Sequence, residues 1–189
     1  MNKVKTILIT TLALTLICIV STAALAFTNE LTEDRIANVA KESEEKAMNR
    51  LISAQTYEVG AIQFADAPYY VAKDAEGNVL GHIFTTSAGG YGGAVKVMTG
   101  IDNEGKVIAI EVLDASEETP GLGQNSMKSS FWERFKGKSG RINVVKSNPG
   151  ESDIQALTGA TITSNAVKDA VNTALSAYSQ IAGEAQNNG

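Results

Sequence analysis

The stretch Thr158-Gly159-Ala160-Thr161-Ile162-Thr163-Ser164 crowds small and hydroxyl residues directly against a run with helical periodicity. In that run Ala166, Val167, Ala170, Val171, Ala174, Leu175, Tyr178 and Ile181 recur at threes and fours, the spacing of one buried helix face. A helix therefore starts here, with Thr163 or Ser164 as the natural N-cap. The free N–H groups and positive dipole end of such a start stabilise a phosphate without any basic side chain. The plainer alternative is structural, since Thr and Ser are common ahead of helices and Gly159 can serve a turn.

Working outward, strands precede this helix. Tyr69 to Lys73 and Val79 to Thr85 flank Asp74-Ala75-Glu76-Gly77-Asn78, a hairpin turn. Ser87-Ala88-Gly89-Gly90-Tyr91-Gly92-Gly93 sets four glycines in five residues and runs into a further strand. Asp102-Asn103-Glu104-Gly105 then turns the chain, and Lys106 to Leu113 alternates Val107, Ala109, Glu111 and Leu113 with Ile108, Ile110 and Val112. Next comes Glu118-Thr119-Pro120-Gly121-Leu122-Gly123, whose proline and glycines by themselves describe a rigid surface loop. The expected fold class is α+β, a single domain over 57–183 with an antiparallel sheet and packed helices. Residues 184–189 read as a disordered tail.

The N-terminal part has another character. From Thr6 to Phe27 there are 22 consecutive uncharged residues, and at roughly 1.5 Å per residue a helix of that length crosses a hydrocarbon core of about 30 Å. Residues 1–28 are therefore expected to be a cytoplasmic N-terminus and a transmembrane anchor. Lys3 and Lys5 precede the span, which favours a cytoplasmic N-terminus and an extracytoplasmic domain, single-pass in the cell membrane. A cleaved signal peptide competes, because Ala24-Leu25-Ala26 has the small-x-small form of a cleavage site, but the span exceeds the usual apolar region of a signal. Residues 29–56 read as a charged amphipathic linker helix with Ile36, Val39, Ala40, Ala47, Leu51 and Ile52 as its inner stripe.

Composition excludes several classes of function. With Lys3 and Lys5 assigned to the anchor, 14 basic residues face 21 acidic ones, a net charge of −7 that does not suit nucleic acid. Cys18, the single cysteine, cannot form an intramolecular disulfide, so the domain relies on its core. His82 is the single histidine and no metal site is expected on it. Phe131 and Trp132 read as core packing rather than as an electron relay. No catalytic triad, metal-hydrolase motif or phosphate loop is present, so the chain reads as a carrier with no catalytic residues of its own.

Thr158-Gly159-Ala160-Thr161 resembles the [Ser/Thr]-Gly-Ala-Thr motif of the FMN-binding domain family. The order of glycine-rich entry, hairpin, Glu118-Thr119-Pro120-Gly121-Leu122-Gly123 and then this motif resembles the G subunit of the Rnf electron-transport complex. It is also similar to the related C subunit of the sodium-pumping quinone reductase. The resemblance covers roughly residues 1 to 180. It implies FMN esterified through its phosphate to Thr161 by a flavin transferase, with Thr163 and Ser164 beside it. It further implies that Glu118, Thr119, Gly121 and Leu122 line the slot for the ring, with Gly92 and Gly93 allowing close backbone approach. The implied function is electron transfer among the membrane, iron-sulfur and flavin subunits of an Rnf-type complex that couples ferredoxin:NAD electron transfer to ion translocation. The span contains no ionisable residue that could form an ion path.

Two positions depart from the family pattern. Gln155 stands where relatives often carry Asp, the nearest acid being Asp153, and Ser116 stands where many carry His. The alternatives are a quinone-reductase-type subunit or free-standing extracytoplasmic flavin carrier and, in a different class, a flavin-free binding or assembly module.

Overall fold

The computed structural model describes residues 3–60 and 69–187. They fall into two units, Met1–Ser43 and Glu44–Gly189. The first unit is helical, the greater part of helix α1 (Lys3–Leu51). Its segment Lys3–Glu33 is long and apolar enough to cross a membrane, a single-pass anchor. The Thr10, Thr15 and Thr28 hydroxyls donate to the carbonyls of Thr6, Thr11 and Ala24, four residues back, so their polar atoms are satisfied inside the helix as a lipid setting requires.

Helix α1 ends at Leu51, short of residue 56. Tyr57 accounts for the stop: its hydroxyl donates to the Ile52 carbonyl at 2.7 Å and packs beside Asn49, taking over a group that the helix would otherwise have to satisfy itself. Of the expected inner stripe, Ala47, Leu51 and Ile52 are buried, whereas Val39 and Ala40 are exposed. The Ile36 side chain lies outside the described residues.

The second unit is built on a five-stranded antiparallel meander in the order β1-β2-β3-β4-β5, namely Thr56–Val59, Tyr69–Lys73, Val79–Gly89, Ala94–Ile101 and Val107–Asp114. The β2–β3 and β4–β5 turns use one device. Asp74 Oδ1 accepts from the N–H groups of Glu76 and Asn78, and Asp102 Oδ1 from those of Glu104 and Lys106. The glycine-rich block forms the tip of the β3–β4 hairpin, closed by Gly90 N–H donating to the Gly93 carbonyl at 2.7 Å.

Helix α3 (Thr161–Asn187) covers one face of the sheet, packing Ala166, Val167, Ala170, Val171 and Ala174 against Phe84, Val95, Val97 and Ile101. The Thr86 hydroxyl, on the same face, donates to the Ala170 carbonyl. The last turns of α1 cover the opposite face, where Ala47, Met48, Leu51 and Ile52 meet Ala72, Ile83 and Met98. Alternation along β5 is not strict: Val107 joins Ile110 and Val112 on the α3 side, while Ile108, Ala109 and Leu113 lie against the smaller cluster. A register shift between Gly100 and Ile101, where β4 pairs with this end of β5, causes the slip.

After β5 the chain makes a 3-10 turn (Gly123–Met127), the short helix α2 (Ser129–Trp132), and a two-stranded parallel pair, β6 (Asn143–Val145) and β7 (Asp153–Gln155). Phe131 and Phe135 meet edge to face in the main core, and the half-buried Trp132 packs against it with its indole N–H on the Ser126 carbonyl. His82 lies between the rings of Tyr69 and Tyr178. Helix α3 starts at Thr161, two residues before the expected cap, so Thr163 and Ser164 belong to its first turn. At the other end it takes in positions 184–187 of the expected tail, while 188–189 lie outside the described residues.

Candidate functional site

A cleft of about 590 Å³ opens where the β3–β4 hairpin tip, the loop after β5 and the start of α3 converge. Thr161, Gly159, Ala160, Thr163, Glu118, Thr119 and Leu122 line it, together with Tyr91, Gly123 and Ile162. Sequence reasoning missed the last three, although an aromatic set among four glycines is a visible signal at Tyr91. Thr158, Ser164, Gly121, Gly92 and Gly93 sit on the flanking segments rather than in the lining.

The α3 wall is made by local geometry. Gly159 has φ +74°, a left-handed turn that a side chain resists, and it delivers the chain into α3. Along a helix, positions two apart are rotated by roughly 200°. The Thr161 side chain is accordingly exposed to the cleft while Thr163 is 1% exposed and Ser164 fully buried. Both buried hydroxyls are committed. Ser164 Oγ donates to the Ala160 carbonyl and accepts from Leu157 N–H, and Thr163 Oγ1 donates to Glu118 Oε2. Of the three hydroxyls in this turn only that of Thr161 is open to a reagent. The N–H groups of Thr161, Ile162 and Thr163 have no acceptor among the described residues, as first-turn donors do, and they face an anion-binding position.

The facing wall is made by the Glu118–Gly123 segment. Leu122 N–H donates to the Thr119 carbonyl across Pro120 and Gly121, and Gly121 has φ +77°, the signature of a type II turn. One tight turn places Glu118, Thr119 and Leu122 in the cleft lining and leaves Gly121 outside it. Glu118 is 2% exposed. Its Oε1 accepts from the N–H groups of Tyr91 and Gly92 at 2.7 and 3.1 Å, and its Oε2 accepts from Thr163. Burial opposes its ionisation, yet the donors from Thr163, Gly92, Tyr91 and Gly93 outweigh it and hold the carboxyl below its ordinary value.

Gly92 and Gly93 lie under Glu117: a Cβ on Gly92 would sit 1.9 Å from the Glu117 carbonyl oxygen. Their lack of side chains therefore serves the fit of the hairpin to the following loop. Gln155 lies exposed on β7, its carbonyl held by Arg134 and its amide donating to the Lys146 carbonyl. Asp153 accepts from Gly150 N–H within its own turn, and Ser116 is exposed.

These features fit a flavin nucleotide. The volume is in the range of small-molecule clefts. Tyr91, Leu122 and Ile162 give it an exposed apolar rim, and a phosphate has the first-turn N–H groups of α3 and no basic side chain in the lining. The cleft beside Arg141 and Asn172 contains none of these elements.

Known proteins point the same way. Residues 90–176 match the FMN-binding domain family, and residues 1–51 match the RnfG N-terminal region. The chain is 39% identical to the G subunit of the proton-translocating ferredoxin:NAD(+) oxidoreductase complex of Clostridium ljungdahlii, over a segment covering 57% of each protein. The chain thus spans a little over half the length of that relative. It is 30% identical to the G subunit of the ion-translocating oxidoreductase complex of Shewanella amazonensis, with 90% of this chain and 87% of that one covered. Among solved structures, the C subunit of the Na(+)-translocating NADH-quinone reductase of Parabacteroides distasonis superimposes with a TM-score of 0.52 at 27% identity, covering 61% of this chain and 62% of that one. The two walls, the order of their motifs and these matches together show that the chain belongs to the family of G subunits of ion-translocating oxidoreductase complexes and carries an FMN-binding domain.

Proposed function

We propose that this chain is a membrane-anchored electron-transfer subunit holding FMN covalently on Thr161 within an Rnf-type complex that couples ferredoxin:NAD electron transfer to ion translocation. FMN supplies one- and two-electron redox chemistry when bound. The observation that carries the reading is that Thr161 presents the one open hydroxyl of the turn, beside unpaired N–H groups. Attachment by a flavin transferase forms a bond from Thr161 Oγ1 to the FMN phosphorus of a flavin dinucleotide. The bond from that phosphorus to the departing nucleotide breaks, and the hydroxyl proton passes to solvent. The N–H groups of Thr161, Ile162 and Thr163 and the dipole of α3 would balance the single negative charge of such a phosphodiester. Glu118 stays turned inward, so its charge is spent on Thr163, Tyr91 and Gly92. Leu122, Ile162 and Tyr91 would supply the apolar surface that holds a flavin in this cleft and excludes water from it.

Lys3 and Lys5 support a cytoplasmic N-terminus and an FMN domain on the extracytoplasmic face. There a covalent link prevents loss of the flavin to an open compartment. Protease added to intact cells should remove the domain on this reading, and a fully protected domain would reverse the topology. Structural similarity to the C subunit of the quinone reductase sustains the second reading, a component of that enzyme type. The membrane subunits that co-purify with the chain distinguish the two.

The deciding experiment for attachment is in-gel flavin fluorescence after denaturing electrophoresis, with the full chain co-expressed with a flavin transferase beside Thr161→Ala. A wild-type band that vanishes in Thr161→Ala, at unchanged melting temperature, is expected. A dark wild-type band with a transferase proven on another acceptor would instead support the flavin-free module.

A further inference from the structure

Glu118 draws together parts of the chain that are far apart in sequence. Tyr91 and Gly92 lie 27 and 26 residues before it and Thr163 lies 45 after it, and all three bond to its carboxylate. The division is oxygen by oxygen: Oε1 takes the hairpin tip and Oε2 takes α3. The surrounding glycines are shaped to this group. A Cβ on Gly90 would lie 2.2 Å from Oε1, and one on Gly123 would lie 2.4 Å from Oε2 and 2.8 Å from Thr163 Oγ1. A carboxylate suits the place because it accepts from several donors and donates to none. Both oxygens of this buried carboxylate are engaged by the protein, Oε1 by two N–H groups and Oε2 by the Thr163 hydroxyl.

We propose that Glu118 is a positioning residue: by drawing Thr163 inward it sets the rotation of the first turn of α3, and so aims the Thr161 hydroxyl into the cleft at a fixed distance from the Tyr91 rim. The logic is helical geometry, since a residue two positions from a buried one is turned to the opposite side. Releasing Thr163 lets the first turn rotate or fray, and the attacking oxygen loses its alignment though every residue that touches FMN is still present. This inference rests on the reading of Thr161 as the attachment residue.

The test uses the full chain in detergent micelles with a flavin transferase and a flavin dinucleotide, following covalent fluorescence with time at increasing acceptor concentration. Glu118→Ala is expected to lower the saturating rate by about tenfold or more while the half-saturating concentration and the cooperative melt persist, because docking survives and alignment does not. Glu118→Gln keeps an acceptor for the hairpin and an amide for Thr163, and should recover most of the rate. Thr163→Val, which cuts only the helix arm, should fall between them. Attachment by folded Glu118→Ala at the wild-type rate overturns the proposal. Should that variant fail to fold, a wild-type rate in Thr163→Val overturns it equally. Flavin-free protein gives an independent readout: hydrogen exchange at the Tyr91 and Gly92 N–H groups should quicken about tenfold or more in Glu118→Ala, at unchanged exchange in the sheet core. Unchanged exchange at Tyr91 and Gly92 would overturn the positioning role of Glu118 whether or not flavin attaches. A wild-type chain that takes no flavin from an active transferase sinks the attachment reading alone, and the exchange result still decides the role of Glu118.

Discussion

The two faces of the sheet are closed by helices that do different work. On one face α3 closes the larger core, together with Phe131, Phe135, Ile142 and Ile154, and its first turn is a wall of the cleft. On the other face the last turns of α1 close a smaller core with Met48, Leu51 and Ile52, tied down at its edge by a two-pronged ion pair from Arg50 to Glu111. Stability is therefore spread over both faces, whereas the site belongs to one. Perturbing the α1 face should cost folding energy without touching flavin attachment, and changes near α3 should be able to do the reverse.

The same substitution placed on each face tests this most strongly. Leu175→Ala on α3 and Leu51→Ala on α1 remove side chains that are 4% and 5% exposed. Leu175→Ala should cost about 3–4 kcal/mol and Leu51→Ala about 2–3 kcal/mol in urea unfolding, the difference reflecting how readily the smaller cluster collapses into the gap. Attachment rate measured below the unfolding transition should be unchanged in Leu51→Ala. A loss there would join the two faces into one functional unit.

Next in size is Arg50→Ala, which leaves Glu111, 8% exposed, without its partner. Because the Arg50 side chain is itself 55% exposed, the expected loss is about 1–2 kcal/mol, well under that of a fully buried pair. Glu111→Gln in the Arg50→Ala background should return part of that loss in thermal unfolding, and an additive double mutant would show that the pair contributes nothing.

A smaller effect separates the faces by pH. Glu118 has its folded pKa held below the ordinary carboxylate value, so the unfolded chain takes up the proton more readily. Its stabilising contribution is complete above the unfolded value of about 4.3 and is lost as pH falls through the folded value. Acid unfolding curves should thus fall less steeply for Glu118→Gln than for the native chain below about pH 4. Parallel curves would mean that the fold does not lower the pKa of this carboxyl. The smallest effect on stability is expected for Gln155→Asp on exposed β7, which should leave the melt unchanged and raise attachment rate a few-fold, on the order of one surface contact. An unaltered rate would show that the transferase does not read this position.

The strands β2 to β5 and the α3 face were legible because neighbouring residues carry the signal: Asp at the β2–β3 and β4–β5 turn starts, glycines at the β3–β4 tip, alternation over most of β5, and threes and fours after residue 165. The short strands β1, β6 and β7 have too few residues for alternation to register. The residue that precedes α3 is Ala160, three residues ahead of Thr163, for a definite reason: Thr163 and Ser164 have N-cap chemistry, but their hydroxyls are taken by Glu118 and by Leu157 with Ala160. The glycines of the hairpin tip were visible as a cluster, while the reason for them, contact with Glu117 and Glu118, was not.

The apolar anchor, the turn-and-strand order, the buried stripe of α3 and the motif ending at Thr161 are all written in the order of residues along the chain, since each depends on the covalent spacing of near neighbours. Which hydroxyl of that motif stays free, and which carboxylate holds the cleft together, was decided by tertiary structure alone. Burial and hydrogen bonding at Thr163 depend on a partner 45 residues away, brought there only when the hairpin tip, the Pro120 turn and α3 close on one another.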